Sequence, residues 1–330
     1  MARESGQKLK ILYLLRILQE KTDESHALTM PQITEELGLY GIEADRKSIY
    51  SDLDELRNAG YDIIGERQGA SYVYYIGSRD FELPELKLLV DSVQASRFIT
   101  EKKSRELIKK LGALTSRYNA GKLKRELMYS GRVKTMNESI YYTVDKLHAA
   151  MNDGLKVRFQ YFNWNVKKEQ ELRHDGAFYE VSPWALLWDD ENYYLVAFDG
   201  KDGKIKHFRV DKMLRLSVTD KKREGEKEFK EAAVESYSTR MFGMFSGKDE
   251  RVTLEAENRF AGILIDRFGK DIMMIPTDPE HFRAVVSVSM SDQFLSWIFS
   301  LGEGIKITGP ESAVKAAREM LARLNRTYTK

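Results

Sequence analysis

The stretch "ENYYLVAFDGKDGKIKHFRVDK", residues 191–212, predicts two β-strands joined by a tight Asp-Gly turn. Alternation along the second strand directs Phe208 and Val210 to one face, the expected interior of a small barrel, and directs His207 and Arg209 to the other. The polar and aromatic side chains that it carries include Tyr193, Tyr194, Lys206, His207, Arg209 and Lys212. The segment is therefore either the core of a small barrel or a surface that holds an anion.

The flanking segments extend this pattern into a domain that we predict for residues 139–222. Short aromatic-rich stretches such as "LKVRFQYFNW" and "AFYEVSPWALLWDD" alternate with polar turns, which is typical of a small antiparallel barrel or curved sheet. Residues 223–248 are predicted to be a connector. Residues 249–330 alternate strand and helix in the order expected of a separate α+β sandwich. The fold class is thus a multidomain α+β protein.

Residues 1–78 predict three helices followed by a β-hairpin. The first helix is expected to bury Leu9, Leu12, Leu15 and Ile17. Thr29 and Asp45 are suited to cap the second and third helices, because their side chains can accept a hydrogen bond from the first turn. Two β-prone runs around a polar turn at residues 67–71 then form the hairpin. This is the pattern of a winged helix-turn-helix domain.

The N-terminal end of the third helix offers side chains suited to DNA. Arginine and lysine donate to guanine, and serine and tyrosine hydroxyls reach bases or phosphates. The predicted base contacts are Arg46, Lys47, Ser48, Tyr50 and Ser51. The predicted phosphate contacts are Lys8, Lys10, Arg67 and Gln68. The alternative is a three-helix packing module whose charges are simply solvated.

Charge is distributed unevenly although the net charge is only +2. Residues 1–78 hold nine basic and thirteen acidic residues, whereas residues 101–134 hold eleven basic and three acidic ones. The second segment belongs to a helical linker that we predict for residues 79–138. It can lie along DNA phosphates, but basic helix faces are often only solvated, which is the favoured interpretation.

Composition argues against several kinds of protein. The chain has no cysteine, which excludes disulfides and cysteine-ligated metal sites. We predict no cofactor, no metal and no catalytic residues, because "GMFSGKD" lacks the spacing of a phosphate-binding loop and no catalytic set can be assembled. No apolar run reaches the length of a membrane span, and the N-terminus has helical periodicity instead of a signal-peptide core, so a cytoplasmic protein is expected.

At Tyr193, Tyr194 and Leu195 the sequence resembles the WYL-domain transcriptional regulators, whose namesake tripeptide these residues match. A second match is "KHFRVDKM", residues 206–213, against the family pattern Arg-x-Phe-Arg-Leu-Asp-Arg-Ile. The sequence differs in having Tyr193 for tryptophan and two lysines, Lys206 and Lys212, for arginines. Lysine keeps the charge but lacks the planar fork that grips phosphate.

The resemblance implies an N-terminal winged helix, a WYL barrel of the SH3 or Sm type and a C-terminal extension. It implies a homodimeric regulator that binds a double-stranded DNA operator and senses an anionic, nucleotide-like or single-stranded nucleic-acid effector. The expected effector contacts are Tyr193, Tyr194, Lys206, His207, Arg209 and Lys212. Two alternatives stay open: Arg209 pairs with Asp211 or Asp199 as a structural ion pair, and the chain is a single-strand-binding accessory factor that docks through its helical domain.

Overall fold

The computed structural model describes residues 2–123, 134–135, 137, 140–189, 191–231 and 248–329, with side chains described from residue 9 onward. The predicted connector therefore lies largely outside the described residues, as do residues 124–133 of the basic linker and "GMFSGKD" up to its last two residues. The chain divides into two compact units, Met1–Glu138 and Ser139–Lys330. None of the described helices is long and apolar enough to cross a membrane.

The first unit begins with three helices and a small antiparallel sheet. The helices are α1 (Ala2–Lys21), α2 (Met30–Gly38) and α3 (Arg46–Asn58). The strands are β1 (Leu28–Thr29), β2 (Ile63–Gln68) and β3 (Ser71–Ile76), in the order β1-β3-β2. The hairpin turn is tight, since only Gly69 and Ala70 separate the strands and Gly69 takes the left-handed conformation with φ of 59°.

The helix boundaries follow from local capping. The side chain of Asp45 accepts a hydrogen bond from the Ser48 amide at 3.0 Å, and the Thr29 amide donates to the Gln32 side chain at 2.8 Å. These caps confirm the predicted starts of α2 and α3.

The predicted buried face of α1 is wrong in part, since Ile17 is buried as expected but two of its predicted partners are not. Leu9 and Leu12 are 44% and 59% exposed, whereas Leu14, Ile17 and Leu18 are buried. The leucines of α1 occur on more than one side of the helix, so their spacing alone did not identify the face that packs.

Three further helices complete the described part of the first unit. They are α4 (Leu83–Ala95), α5 (Glu101–Gly112) and α6 (Arg117–Leu123). Leu86, Val90 and Leu123 form their buried cluster. Lys109 and Lys110 lie in the last turn of α5, where positive charge is favourable at the carboxyl end of a helix.

The second unit starts with a helix and a curled antiparallel sheet. Its elements are α7 (Ile140–Asp153), β4 (Leu155–Trp164), β5 (Gln170–Leu172), β6 (Tyr179–Asp189), β7 (Asn192–Asp199), β8 (Lys204–Arg209), β9 (Met213–Lys222) and α8 (Glu226–Glu231). The strand order is β5-β4-β6-β7-β8, with β9 paired to β4. Register shifts in β4 and β6 bend the sheet. The predicted small barrel is thus a curled half-barrel.

The C-terminal part is an antiparallel sheet with helices. Its elements are β10 (Lys248–Glu257), α9 (Ala261–Phe268), β11 (Met273–Pro276), β12 (His281–Met290), α10 (Asp292–Ser300), β13 (Ile305–Gly309) and α11 (Glu311–Tyr328). The strand order is β11-β12-β10-β13. Leu254, Val286, Phe294 and Ile298 lie in its core. The predicted order of elements and the α+β class are confirmed.

Candidate nucleic-acid interface and effector site

The amino end of α3 presents exposed cationic and polar side chains. Arg46, Lys47 and Ser51 are exposed, and Tyr50 is 40% exposed. Ile49 is fully buried on the opposite side of the helix. The helix therefore packs through one face and leaves these four side chains on its surface, as the sequence predicted.

Ser48 and Lys10 have a different role. The Lys10 ammonium donates to the Ser48 hydroxyl and forms an ion pair with Asp52 at 3.0 Å, and Lys10 is only 5% exposed. The Lys10 ammonium is buried and links α1 to α3. The prediction that it contacts a DNA phosphate is therefore wrong. The side chain of Lys8 lies outside the described part of the chain.

The tip of the β2–β3 hairpin carries the two remaining predicted contacts. Arg67 and Gln68 are both exposed. Arg67 donates to the Gly69 carbonyl at 3.3 Å, and Gln68 donates to the Glu66 carboxylate at 3.0 Å. These interactions are local, so the side chains remain at the surface.

Two tyrosines that the sequence reading did not select complete this surface. Tyr72 and Tyr74 on β3 have ring centroids 5.3 Å apart, and Tyr74 meets Tyr50 at 6.3 Å with its ring at 64°. Together with Arg46 they line a 200 Å³ cleft beside the start of α2. The alternation in "SYVYYI" places Tyr72 and Tyr74 on one face of the strand, and this pattern in the sequence could have identified them.

In the second unit five of the six predicted effector residues lie on β7 and β8 and divide between the two faces of the half-barrel, and Lys212 lies in the short turn Val210–Lys212 that follows β8. Tyr194 lies opposite Arg209, and Val196 lies opposite His207, across the β7–β8 ladder. Tyr194, His207 and Arg209 therefore share one face, whereas Tyr193 and Lys206 project from the other. As predicted for the interior, Phe208 is buried, 4% exposed.

Arg209 forms the ion pair with Asp211 that the sequence left open. Its Nε and Nη2 atoms donate to the two Asp211 carboxylate oxygens at 3.0 and 2.8 Å, and Nη2 also donates to Asn192 at 2.8 Å. The hydrogen bonds that Arg209 donates to Asp211 raise the pKa of Arg209 above its usual value. The backbone amide of Arg209 donates to the Tyr161 hydroxyl at 3.1 Å.

Two further cationic side chains, Lys212 and Arg173, lie near Arg209. Burial lowers the pKa of Lys212, and the charges of Arg209 and Arg173 lower it further, while Asp211 opposes them. The Arg173 guanidinium also lies 5.8 Å from the centre of the Tyr161 ring. Arg173 was not predicted, because it is held by a turn at Arg173–Gly176 that includes left-handed backbone, which strand periodicity does not reveal.

The other predicted effector residues have structural partners. Lys206 lies 2.7 Å from both Asp199 and Asp202, so two carboxylates surround its charge. The ring of Tyr193 packs edge-on against Trp188 at 4.6 Å. Burial lowers the pKa of His207, which favours its neutral form. Within the described ranges no cluster of three His, Asp or Glu side chains could hold a metal ion.

The sequence profile described as the WYL domain matches residues 142–218, which run from α7 into β9. The chain contains a WYL domain. The match includes the tyrosine pair and the Arg209–Lys212 segment, and it confirms the part of the resemblance that concerns the WYL domain. No curated protein matches the chain significantly.

Two solved structures are similar to this WYL-domain chain, and the matched regions cover nearly all of it. Proteasome accessory factor B/C of Arthrobacter aurescens is 19% identical with a TM-score of 0.27, over 95% of this chain and 46% of that chain. A CRISPR Cas-related protein is 15% identical with a TM-score of 0.37, over 99% of this chain and 85% of that chain. The chain thus spans about half the length of the Arthrobacter protein.

Proposed function

We propose that this WYL-domain chain is a DNA-binding transcriptional regulator whose first 78 residues form a winged helix-turn-helix domain. The observation that carries the proposal is the exposed amino end of α3, with Arg46, Lys47 and Ser51 on its surface and Arg46 sharing a cleft with Ser71 and Tyr72 of the β-hairpin. In helix-turn-helix proteins this end of the third helix contacts base edges in the major groove. The WYL domain that follows supports the assignment.

The distribution of charge along α3 is compatible with insertion of its amino end into the major groove of DNA. Arg46 and Lys47 donate to guanine or to phosphate there, and Asp54 and Glu55 lie further along the helix, where it leaves the groove. Arg67 and Gln68 at the hairpin tip then contact the DNA backbone. Because residues 1–78 carry more acidic than basic residues, we expect weak non-specific binding and a marked preference for the operator.

The proposed effector is an anionic, nucleotide-like molecule or a single-stranded nucleic acid. Arg209 and Arg173 lie close enough to Lys212 to lower its pKa beyond the effect of burial, and Asp211 is the carboxylate that opposes them. This leaves an excess of positive charge next to Tyr194, whose ring can stack on a base. Arginine donates through five N–H groups, and the bonds to Asp211 and Asn192 use Nε and Nη2.

Regulation would follow by population shift. An effector that binds one conformation of a homodimer better than another changes the spacing of two DNA-binding domains, and therefore their affinity for two half-sites. The domain limits 1–78, 79–138, 139–222, 223–248 and 249–330 belong to this proposal, as do the homodimer and the double-stranded operator.

A mobility-shift experiment tests the DNA-binding proposal. Duplexes selected by the wild-type chain from a random library would be titrated with wild type, Arg46→Ala and Lys47→Ala. We expect each variant to lose specific binding by about tenfold or more, since a good contact to a base contributes that much. Arg318→Ala, which removes an exposed charge from the second unit, should bind as wild type does. Selection of single strands instead would favour the accessory-factor alternative.

A further inference from the structure

The described part of the predicted connector, residues 223–231, crosses the half-barrel beside β6 and β7, and we call it the strap. The Arg223 amide donates to the Gly154 carbonyl at 2.9 Å, and the Arg223 guanidinium lies 4.0 Å from the centre of the Trp184 ring. The Trp184 indole in turn donates to the main-chain carbonyl of Glu224 at 2.9 Å. The start of the strap is therefore attached to the half-barrel around one tryptophan.

The strap lies on the face of the half-barrel that carries Tyr194 and Arg209. Phe198 follows Tyr194 by four residues on β7, which pairs with β8 without a register shift, so both rings project from this face. Gly225 of the strap packs directly on Phe198, because a Cβ at Gly225 would lie 2.1 Å from that ring. Along the strand, Phe198 is about 13 Å from Tyr194. The strap and the proposed effector residues thus occupy two ends of one surface.

Two side chains of the strap make the kinds of contact that a nucleotide makes. The Phe229 ring is stacked on Trp184, with the ring centroids 5.2 Å apart and the planes 15° apart. The Glu224 carboxylate accepts a hydrogen bond from the Lys156 ammonium at 2.8 Å. Bases of single-stranded nucleic acids stack on aromatic side chains, and phosphates accept hydrogen bonds from lysine. A planar ring and an anion of the strap therefore take the positions of a base and a phosphate.

The surface beneath the strap is aromatic and cationic. The Lys156 side chain is 15% exposed, whereas its partner Glu224 is 61% exposed, so the ammonium belongs to the half-barrel and the carboxylate on it can be replaced from solvent. The Arg223 guanidinium also donates to the Met151 carbonyl at 3.3 Å, a contact that holds it next to Trp184. An indole ring with an arginine over it and a lysine nearby is a combination that binds single strands.

The strap has few contacts that would prevent its displacement. In α8 every side chain except that of Phe229 is exposed. The ion pair of Glu226 with Lys230 lies within the helix and does not attach it to the sheet. A helix of six residues is not stable by itself in water. The position of α8 therefore depends on Phe229 and on the Glu224 carboxylate.

We propose that Trp184, Lys156 and Arg223 form a binding site for one nucleotide of a single-stranded nucleic acid, and that the strap occupies this site when no ligand is bound. Phe229 and Glu224 then form an autoinhibitory contact, in which a ring replaces a base and a carboxylate replaces a phosphate. The inference rests on the proposed effector binding and extends the effector site along the same face. A ligand that contacts both ends must be longer than one nucleotide, because the ends are about 13 Å apart.

The first test compares Glu224→Gln with Glu231→Gln in the full-length chain. Each change removes one exposed carboxylate from the strap, but Glu231 pairs with Lys227 within α8, at 3.8 Å, whereas Glu224 binds Lys156 of the half-barrel. The probe is a labelled oligothymidylate, and its affinity is measured by fluorescence anisotropy. Glu224→Gln should tighten binding by about threefold, because the strap competes less with the ligand. Glu231→Gln should bind as wild type does.

Phe229→Ala releases the aromatic half of the contact. It should tighten oligothymidylate binding by about tenfold, since a base can then stack in place of the phenyl ring. Without ligand, hydrogen exchange over residues 224–231 should be faster than in wild type. Adding Trp184→Ala to Phe229→Ala should remove the gain, because the ring on which the base stacks is lost. Thermal unfolding of each variant shows whether the chain still folds.

Unchanged or weaker oligothymidylate binding in a folded Phe229→Ala chain overturns the inference, and so does a gain that survives Trp184→Ala. Unchanged hydrogen exchange in Phe229→Ala overturns it as well, because Phe229 would then not hold the strap. If Phe229→Ala does not fold, equal binding by Glu224→Gln and Glu231→Gln overturns the inference instead. The proposed effector site is judged separately, by the loss of wild-type binding in Arg209→Ala, and that loss can be observed even when the strap variants bind as wild type does.

Discussion

Tyr194 and Arg209 lie directly opposite each other on adjacent antiparallel strands, so their side chains project from the same face of the half-barrel. Arg209 is held there by Asp211 and Asn192, and its side chain is still 35% exposed. A structural ion pair and an anion-binding arginine are therefore compatible in this position, since a guanidinium has more donors than these partners use.

This arrangement predicts different effects for two equally exposed cations, Arg209 and Lys206, whose side chains are each 35% exposed. Arg209→Ala should weaken the binding of a labelled single-stranded oligonucleotide by about tenfold, because a charge-assisted contact is lost. Lys206→Ala should change it less than about twofold, because Lys206 lies on the opposite face between two aspartates. Fluorescence anisotropy measures both, and equal losses would contradict the assignment of the face.

Arg209→Lys examines whether geometry or charge decides the binding. It keeps the positive charge but cannot make the paired hydrogen bonds to both Asp211 oxygens. We expect affinity between those of wild type and Arg209→Ala. Unfolding in urea would show whether either variant also destabilises the fold. Because the ion pair with Asp211 is partly exposed, we expect the free energy of unfolding to fall by about 1 kcal/mol.

Local signals in the sequence predicted much of this fold. Thr29 and Asp45 are caps that act within a few residues of themselves, so their effect on α2 and α3 can be read without tertiary structure. The alternation of side chains that correctly predicted burial of Phe208 is likewise a property of one strand.

The features that could not be predicted depend on distant contacts or unusual backbone. Lys10 was expected at the surface, but it is buried by pairing with Asp52, 42 positions away in the sequence. Arg173 is placed by a turn with left-handed residues, and neither periodicity nor composition identifies such a turn. Tyr74 belongs to the candidate interface only because β3 packs beside α3.

The Lys10–Asp52 pair should be a main support of α3. Their side chains are 6% and 18% exposed, so removing one partner leaves a poorly solvated charge. Lys10→Met should reduce the free energy of unfolding by about 3 kcal/mol. The double variant with Asp52→Asn should recover part of that loss, because no charge is left unpaired. Arg16→Ala, which breaks an exposed pair with Glu20, should change stability by less than about 1 kcal/mol in the same urea titration.

His207 and His281 should give opposite contributions to the pH dependence of stability. Burial lowers the pKa of His207 in the folded chain, so below the ordinary value of 6.5 the unfolded chain takes up a proton that the folded chain does not, and stability falls with acidification. A hydrogen bond to Asp278 raises the pKa of His281, so its contribution is present below pH 6.5 and is lost as the pH rises through the folded value.

Urea unfolding at pH 7.5 and 5.5 measures this difference. His207→Asn should reduce the loss of stability on acidification relative to wild type, whereas His281→Asn should increase it. A larger loss on acidification for His207→Asn would show that His207 does not remain neutral in the folded chain, and a smaller loss for His281→Asn would contradict the role of Asp278.

Ser116 joins the helix α6 to the end of α1 through Asp23, and its removal should destabilise the first unit in a pH-dependent way. Burial alone would raise the pKa of Asp23, but hydrogen bonds from Ser116 and His26 outweigh it, so the pKa lies below 3.8. This contribution is present above pH 3.8 and is lost as the pH falls through the folded value.

Ser116 also accepts from the Asn119 amide at 3.1 Å, a contact independent of pH. Ser116→Ala should therefore reduce stability by about 2 kcal/mol at pH 7 and by about 1 kcal/mol near pH 3 in urea titrations. Ser92→Ala, which removes an exposed hydroxyl bonded within α4, should have little effect at either pH. Equal losses for Ser116→Ala at both pH values would show that Asp23 does not depend on this hydroxyl.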